Sequence, residues 1–391
     1  MKKVGIITIV DYVNYGNRLQ NYAAQEVFRS LGFDVFTISN TPERRKAGIA
    51  KKLSPAQRIK NALSLSPLKL WHKTMIKIDE ILHKKKHIRL KELKKNSFKK
   101  FSDRYIKETD FVVNGDNPPV TLKDEFDHFS IGSDQIWNPD YRNESAFDFA
   151  AFAPVEKRIA WSPSFGVSQL PPECHNNYQK WIQGIDYLSV REDAGANIIK
   201  ELTGKDAEVL VDPTLILTRE QWDTISGHAR KKPKGKYLLT YFVGKGLQEN
   251  LRWIKKTAKK KDLTIVNLAS IKDPERFDAD PGEFIDYIKD ADLFCTDSFH
   301  GIIFSIHMET PFVVFERTGR GLPMSSRTET LLGKFGFKNR KFENLKNKPE
   351  QVYQISFLHK EPILQKEREK TLHFLKRATS PSTQNTEKQS S

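Results

Sequence analysis

The sequence predicts an α/β fold of two doubly wound, parallel-sheet domains in tandem, facing each other across a cleft. Three observations carry this. The chain opens as strand, loop, helix and second strand. A second alternation of the same kind begins near Tyr237, after the lysine-rich stretch Arg230-Lys231-Lys232-Pro233-Lys234-Gly235-Lys236. At 391 residues the chain suits two domains of ordinary size better than one.

The elements follow in order. The apolar run over residues 4–10 reads as a buried strand, and Asp11 to Asn17 as a loop. Asn17 to Leu31 forms a helix, with Leu19, Tyr22, Ala23, Val27 and Leu31 at helical spacing. Gly32 stops it, and Val35-Phe36-Thr37-Ile38 is the second strand. Residues 44–108 form a basic helical insert, with Ser54 and Pro55 as a helix start. Strands resume at Phe129-Ser130-Ile131, Ile159-Ala160-Trp161, Tyr187-Leu188-Ser189-Val190 and Val209-Leu210-Val211. The second domain brings strand 237–242, helix 247–261, strand 263–268, helix 281–290, a strand ending at Cys295, a helix from Gly301, and strand Phe312-Val313-Val314-Phe315. The resulting boundaries are 1–213 and 214–377, followed by a Ser/Thr/Gln-rich tail over 378–391 that is expected to be disordered.

Composition narrows the function classes. Two cysteines, Cys174 and Cys295, cannot build a disulfide framework and fit a reducing cytoplasm. The apolar start is broken by Thr8 and Asp11 with no cleavage site, so it reads as a strand, not a signal peptide. No segment has the length of a membrane span. The net charge of +16 is local. Between Arg44 and Lys100 there are 19 Lys or Arg and 3 acidic residues, which accounts for all of it. With Trp71, Ile76 and Ile81 interleaved, that segment is a candidate surface for an anionic membrane leaflet. No nucleic-acid-binding motif accompanies the charge. A plain solvated basic surface is the competing reading.

The candidate chemistry gathers at strand ends. Asp297-Ser298-Phe299-His300-Gly301 closes one strand and opens a helix, whose first amides favour an anion. His300 supplies a group that donates or accepts a proton near neutral pH. The first loop offers Asn14, Asn17, Arg18 and Gln20, set against a bland reading in which Gly16 makes a turn and Asn17 caps the helix. It is neither a dinucleotide fingerprint nor a P-loop. Ser133, Asp134 and Gln135 follow another strand and are placed to bind hydroxyls, with Trp137 as a sugar-stacking platform or else a core residue. Arg191, Lys245 and Arg327 are candidate carboxylate or phosphate ligands. Their alternative is salt bridging to neighbours such as Glu192 or Asp193. His307 lies at helical spacing and reads as structural. No spacing of metal ligands is present, so neither metal nor cofactor is expected.

Taken together, Asn14-Tyr15-Gly16-Asn17-Arg18-Leu19-Gln20, Gly132-Ser133-Asp134-Gln135-Ile136-Trp137-Asn138, Ser189-Val190-Arg191-Glu192, Asp212-Pro213-Thr214, Thr296-Asp297-Ser298-Phe299-His300-Gly301 and Ser326-Arg327 resemble the polysaccharide pyruvyl transferase family. The resemblance implies two Rossmann-like domains in a glycosyltransferase-B-like arrangement. It also implies transfer of a pyruvyl group from phosphoenolpyruvate, as co-substrate, to a sugar of a cell-surface or exopolysaccharide glycan, as a ketal. On it, His300 and Arg191 are the catalytic candidates. The acceptor is a saccharide, with lipid-linked glycans included, and the location is cytoplasmic or peripheral at the inner membrane face. Ser298 and Phe299 stand where many relatives carry arginine and leucine, which leaves Arg191, Lys245 or Arg327 to supply that charge. A nucleotide-sugar glycosyltransferase of the same architecture, or a non-catalytic glycan- or anion-binding relative, are the alternatives.

Overall fold

The computed structural model describes residues 1–41, 84–142, 144–244, 248–317 and 326–380. Two all-parallel sheets organise it. The first has seven strands: β1 (Lys3–Ile7), β2 (Asp34–Thr41), β3 (Glu108–Asn114), β4 (His128–Ile131), β5 (Arg158–Ala160), β6 (Tyr187–Val190) and β7 (Glu208–Val209), in the spatial order β3-β2-β1-β4-β5-β6-β7. The second holds β8 (Tyr237–Tyr241), β9 (Thr264–Asn267), β10 (Leu293–Thr296) and β11 (Phe312–Val314), in the order β11-β10-β8-β9. Both orders reverse direction beside the first strand of their sheet. That reversal opens a crevice at the carboxyl ends of the strands, where ligands of such sheets bind.

The longer helices are α1 (Tyr15–Ser30), α2 (Lys84–Tyr105), α3 (His175–Gln183), α4 (Asp193–Thr203), α5 (Gln248–Lys260), α6 (Pro281–Lys289), α7 (Phe299–Met308), α8 (Ser326–Lys334) and α9 (Lys360–Thr379). Local chemistry explains their ends. Asn14 caps α1 by accepting from the Asn17 amide. Asp280 and Glu283 form a reciprocal capping box at α6, with Pro281 at its first position. Ser298 caps α7, its hydroxyl accepting from the Gly301 amide at 3.2 Å.

Two elements differ from the sequence reading. Strand β3 sits at the sheet edge, and the alternation of Glu108, Thr109 and Asp110 with Phe111 and Val113 is too polar to announce a strand. Helix α9 runs through Ala378 to Thr379, past the point where a disordered tail was expected. The tail beyond residue 380 lies outside the described residues, as does the greater part of the basic insert, including Ser54 and Pro55. Its last portion is α2, which buries Phe98 and Phe101 against the body while Lys95, Lys99 and Lys100 stay exposed.

The lobes meet through an aromatic seam. Tyr15 of α1 stacks on Phe284 of α6 with ring centroids 4.4 Å apart and planes 5° from parallel. It also packs edge-on against Tyr241 at the end of β8, 5.2 Å away. Trp222 bridges Tyr22 of α1 and Phe304 of α7. One continuous apolar cluster therefore runs from the first sheet into the second. Among the described residues no helix is long and apolar enough to cross a membrane.

Candidate active site

The carboxyl ends of β1, β4, β6, β8, β10 and β11 converge between the lobes, and the polar motifs sit there. Asp212, just beyond β7, is the hub. It is fully buried. One oxygen accepts from Arg191 at 2.6 Å and from the Ser133 hydroxyl at 3.0 Å. The other accepts from the Thr214 amide at 3.0 Å and the Thr214 hydroxyl at 2.6 Å. His300 Nε2 faces the same carboxylate at 3.5 Å, too far for a good hydrogen bond. Burial opposes ionisation of Asp212, but His300 and Arg191 outweigh it and hold the carboxyl well below the usual range.

Asp134 is the second acid. Its backbone is left-handed, φ 64°. Its carboxylate accepts from Asn17 at 3.1 Å and lies 3.7 Å from Arg191. Burial again opposes its charge, and Arg191, His300 and Arg327 together depress its pKa.

The ring of Phe299 carries two guanidiniums, that of Arg191 at 4.6 Å and that of Arg327 at 5.4 Å from its centre. Burial, then repulsion from Arg191 and Arg317, pulls the Arg327 pKa down to about 9. Gln135, with its amide oxygen turned toward Arg327, accepts from it at 3.0 and 3.3 Å. Several donors stay unmatched in this enclosed space: Arg191 Nε and Nη2, Arg327 Nε, Arg317 Nε and His300 Nε2. Buried donors without partners are costly, so they mark a place built for an acceptor-rich ligand. The first turn of α7 adds backbone amides beside them.

Gly16 explains how His300 is held. A Cβ on Gly16 would lie 2.0 Å from His300 Nδ1, so only glycine lets α1 press against the imidazole. The sequence offered Gly16 as a turn, but it lies inside α1 and serves packing across the cleft.

The other predicted residues have different places. Asn17 donates to the Ile9 carbonyl at 2.8 Å and accepts from the Asp11 amide at 2.9 Å, pinning the first loop. Arg18 does not face the cleft. It pairs with Glu108 at 2.7 Å and lies against Tyr12, because the first helical turn points it to the sheet edge. Gln20 bonds Thr8 at 3.0 Å beneath the loop. Asp297 is spent on the chain, accepting from the Val243 and Gly244 amides at 2.7 and 2.8 Å. Gly301 packs against Thr296 and Phe294. Trp137 is not a sugar platform: it is fully buried, stacks on Phe149 at 4.9 Å and donates to the Asp148 carbonyl at 3.0 Å. Lys245 lies outside the described residues. His307 donates through Nε2 to the Thr214 carbonyl at 2.8 Å, and burial drives its pKa down to about 3.

Three contributors had no assigned role in the sequence: Asp212, Arg317 and the Phe299 ring. Asp212 carried a readable signal, since it ends the apolar run Val209-Leu210-Val211 as Arg191 ends Tyr187–Val190. Arg317 and Phe299 acquire meaning only from their neighbours in space.

Residues 14–319 match the polysaccharide pyruvyl transferase family model, most of the chain and every motif of the cleft except Ser326-Arg327. This chain belongs to the polysaccharide pyruvyl transferase family. It is accordingly a transferase with a polysaccharide-type acceptor. No curated protein matches it in sequence. Among solved structures it is similar to UDP-N-acetylglucosamine 2-epimerase from Rickettsia bellii, at 10% identity and TM-score 0.53, with 97% of each chain covered. UDP-GlcNAc 2-epimerase from Neisseria meningitidis gives 9% identity and TM-score 0.47 over 96% of this chain and 100% of that one. A glycosyltransferase from Rickettsia africae gives 12% and 0.43 over 97% and 94%. At such identities the likeness is one of fold, the glycosyltransferase-B-like pairing of two Rossmann-like lobes. Within that fold the pyruvyl transferase family motifs line one cleft.

Proposed function

We propose that this pyruvyl transferase family member takes its pyruvyl group from phosphoenolpyruvate and closes it on two hydroxyls of a saccharide as a cyclic ketal. The observation that carries the reading is the pair of buried, incompletely bonded guanidiniums of Arg191 and Arg327 beside His300, at the first turn of α7. Phosphoenolpyruvate brings two anionic groups, a carboxylate and a phosphate, to match them. His300 delivers a proton to the methylene carbon, which becomes a methyl group. The adjacent carbon gains oxocarbenium character, and one sugar hydroxyl adds there and loses its proton. A second hydroxyl then displaces inorganic phosphate and loses its own proton, so the ketal forms with no net redox change. Asp212 orients His300 and Arg191, and Asp134 with Gln135 lies where the acceptor hydroxyls arrive. His300 in this scheme contributes as a general acid.

The assay is incubation with phosphoenolpyruvate and candidate glycans, following phosphate release and product mass. Acceptor-dependent phosphate release with the mass gain of a pyruvate ketal is expected. A hexose-sized gain from a nucleotide sugar, or binding without turnover, overturns the reading.

The basic segment 44–100 extends the proposal to location. We place the enzyme at the inner face of the plasma membrane, where α2 and the residues before it meet anionic lipid and a lipid-linked acceptor. Co-sedimentation with anionic but not neutral vesicles at low salt is expected, and equal behaviour with both removes the membrane from the proposal.

A further inference from the structure

Most buried cations among the described residues have a hydrogen-bonded or ion-paired partner. Arg18 is paired with Glu108, and Arg142 is bonded twice to Asp148. Arg340 is bonded to the carbonyls of Phe312, Gln351 and Val352. Lys360 is bonded to the carbonyls of Ile306 and His307 and to Glu309. Arg191 is paired with Asp212 yet keeps Nε and Nη2 unmatched toward the cleft, Arg327 has the Gln135 amide but no carboxylate among the described residues, and Lys94 of α2 has neither. Lys94 is 7% exposed. Among the described residues no carboxylate lies within ion-pair distance of it, and its neighbours are rings. The ammonium lies 4.9 Å from the centre of Tyr15, 5.2 Å from Phe98 and 5.7 Å from Phe277. Two of those rings belong to the first lobe and Phe277 to the second, so Lys94 stands where the lobes meet. Tyr15 adjoins Gly16, which touches His300.

We propose that Lys94 anchors an anionic group carried by the acceptor saccharide, a phosphate ester or a carboxylate, entering between the lobes beside Tyr15 and Phe277. The inference deepens the reading of the cleft given above, since it takes the arginine pocket to be filled by the donor. An ammonium buried without a counter-charge is costly, and ring faces offset only part of that. Lys94 at the lobe contact has neither a carboxylate nor a hydrogen-bonded carbonyl among the described residues, so its missing charge is supplied by a ligand. Burial draws the Lys94 pKa down to about 8, against the pull of Asp11, which keeps the amine protonated in neutral solution. The anion separates acceptors by charge before any hydroxyl is positioned, so Lys94 determines specificity and takes no part in bond making.

The test is calorimetric binding of glucose 1-phosphate, glucuronate and unmodified glucose to the full chain, with phosphoenolpyruvate saturating the arginine pocket. Both anionic sugars are expected to bind more tightly than glucose, and the stronger of the two identifies the phosphate or carboxylate source. Lys94→Met weakens the anionic sugars roughly tenfold or more, the loss expected when a charged contact is removed. Lys94→Arg keeps the charge and retains most of the affinity, and glucose is indifferent to both changes. Should Lys94→Met not fold, Lys94→Gln takes its place. Unchanged affinity in the charge-removing variant overturns the proposal, as does equal binding of all three sugars. Loss of binding in Arg327→Met but not in Lys94→Met overturns it too, because the anion then sits in the arginine pocket. Failure of phosphoenolpyruvate to bind counts against the donor reading alone, since the comparison of Lys94 variants is read equally without it.

Discussion

Two neighbouring residues of α1 meet the second lobe in opposite ways. Tyr15 enters a seam of rings, packing against Phe284, Tyr241 and Phe98. Gly16, one position on, has no side chain and lets His300 approach a pocket full of unmatched donors. The seam is held by ring packing, with each aromatic pair contributing about 0.5–1.5 kcal/mol beyond burial. The pocket is left with its donors unmatched. A single helical turn thus fixes the lobes with one residue and leaves chemistry open with the next.

That contrast can be broken on either side. The largest effect is expected at His300. His300→Ala lowers turnover by about 10²–10⁴-fold in the phosphate-release assay, with only a small shift in the urea unfolding midpoint. Tyr15→Ala does the reverse, costing about 3–5 kcal/mol of stability by urea titration, as loss of a buried aromatic does. Gly16→Ala sits between them. Its Cβ displaces the imidazole, and turnover falls on the order of 10²-fold, the cost of misplacing a catalytic group by about 1 Å, while unfolding changes less than in Tyr15→Ala. The smallest effect is Trp137→Phe. It loses the bond to the Asp148 carbonyl and about 1–2 kcal/mol of stability, and turnover with a saccharide acceptor is unchanged. A strong loss of acceptor affinity there would return Trp137 to the cleft.

Much of the fold was legible in the sequence because buried parallel strands are short apolar runs that end in polar turns. Leu293 to Thr296 and Tyr187 to Val190 announce themselves in this way. The candidate site was legible where a polar residue ends such a run, as with Ser133, Arg191 and His300. It was illegible where meaning depends on partners far along the chain. Arg18 and Asn17 look alike in the first loop, yet Asn17 reaches Asp134 and Arg18 turns to Glu108, 90 residues away. Phe299 read as a departure from family pattern, and its ring instead carries Arg191 and Arg327. Trp137 beside polar neighbours imitates a sugar-binding aromatic, and only the stack on Phe149 reveals a core residue.

Helix α9 begins in the second lobe and finishes on the first. Arg368 donates to the Ile216 carbonyl at 3.0 Å, Lys370 to that of Val209 at 2.9 Å, and Phe374 packs edge-on against Tyr187. The four-stranded lobe is therefore threaded into its partner like a bead on a loop, with polypeptide leaving and returning side by side. Cutting the chain before Lys360 would remove the Lys360 bonds to α7 in the second lobe and also strip a wall from the first. A fluorophore attached near Thr379 would ride with the strands that carry Arg191, so paired with one on α5 it would report the lobes parting.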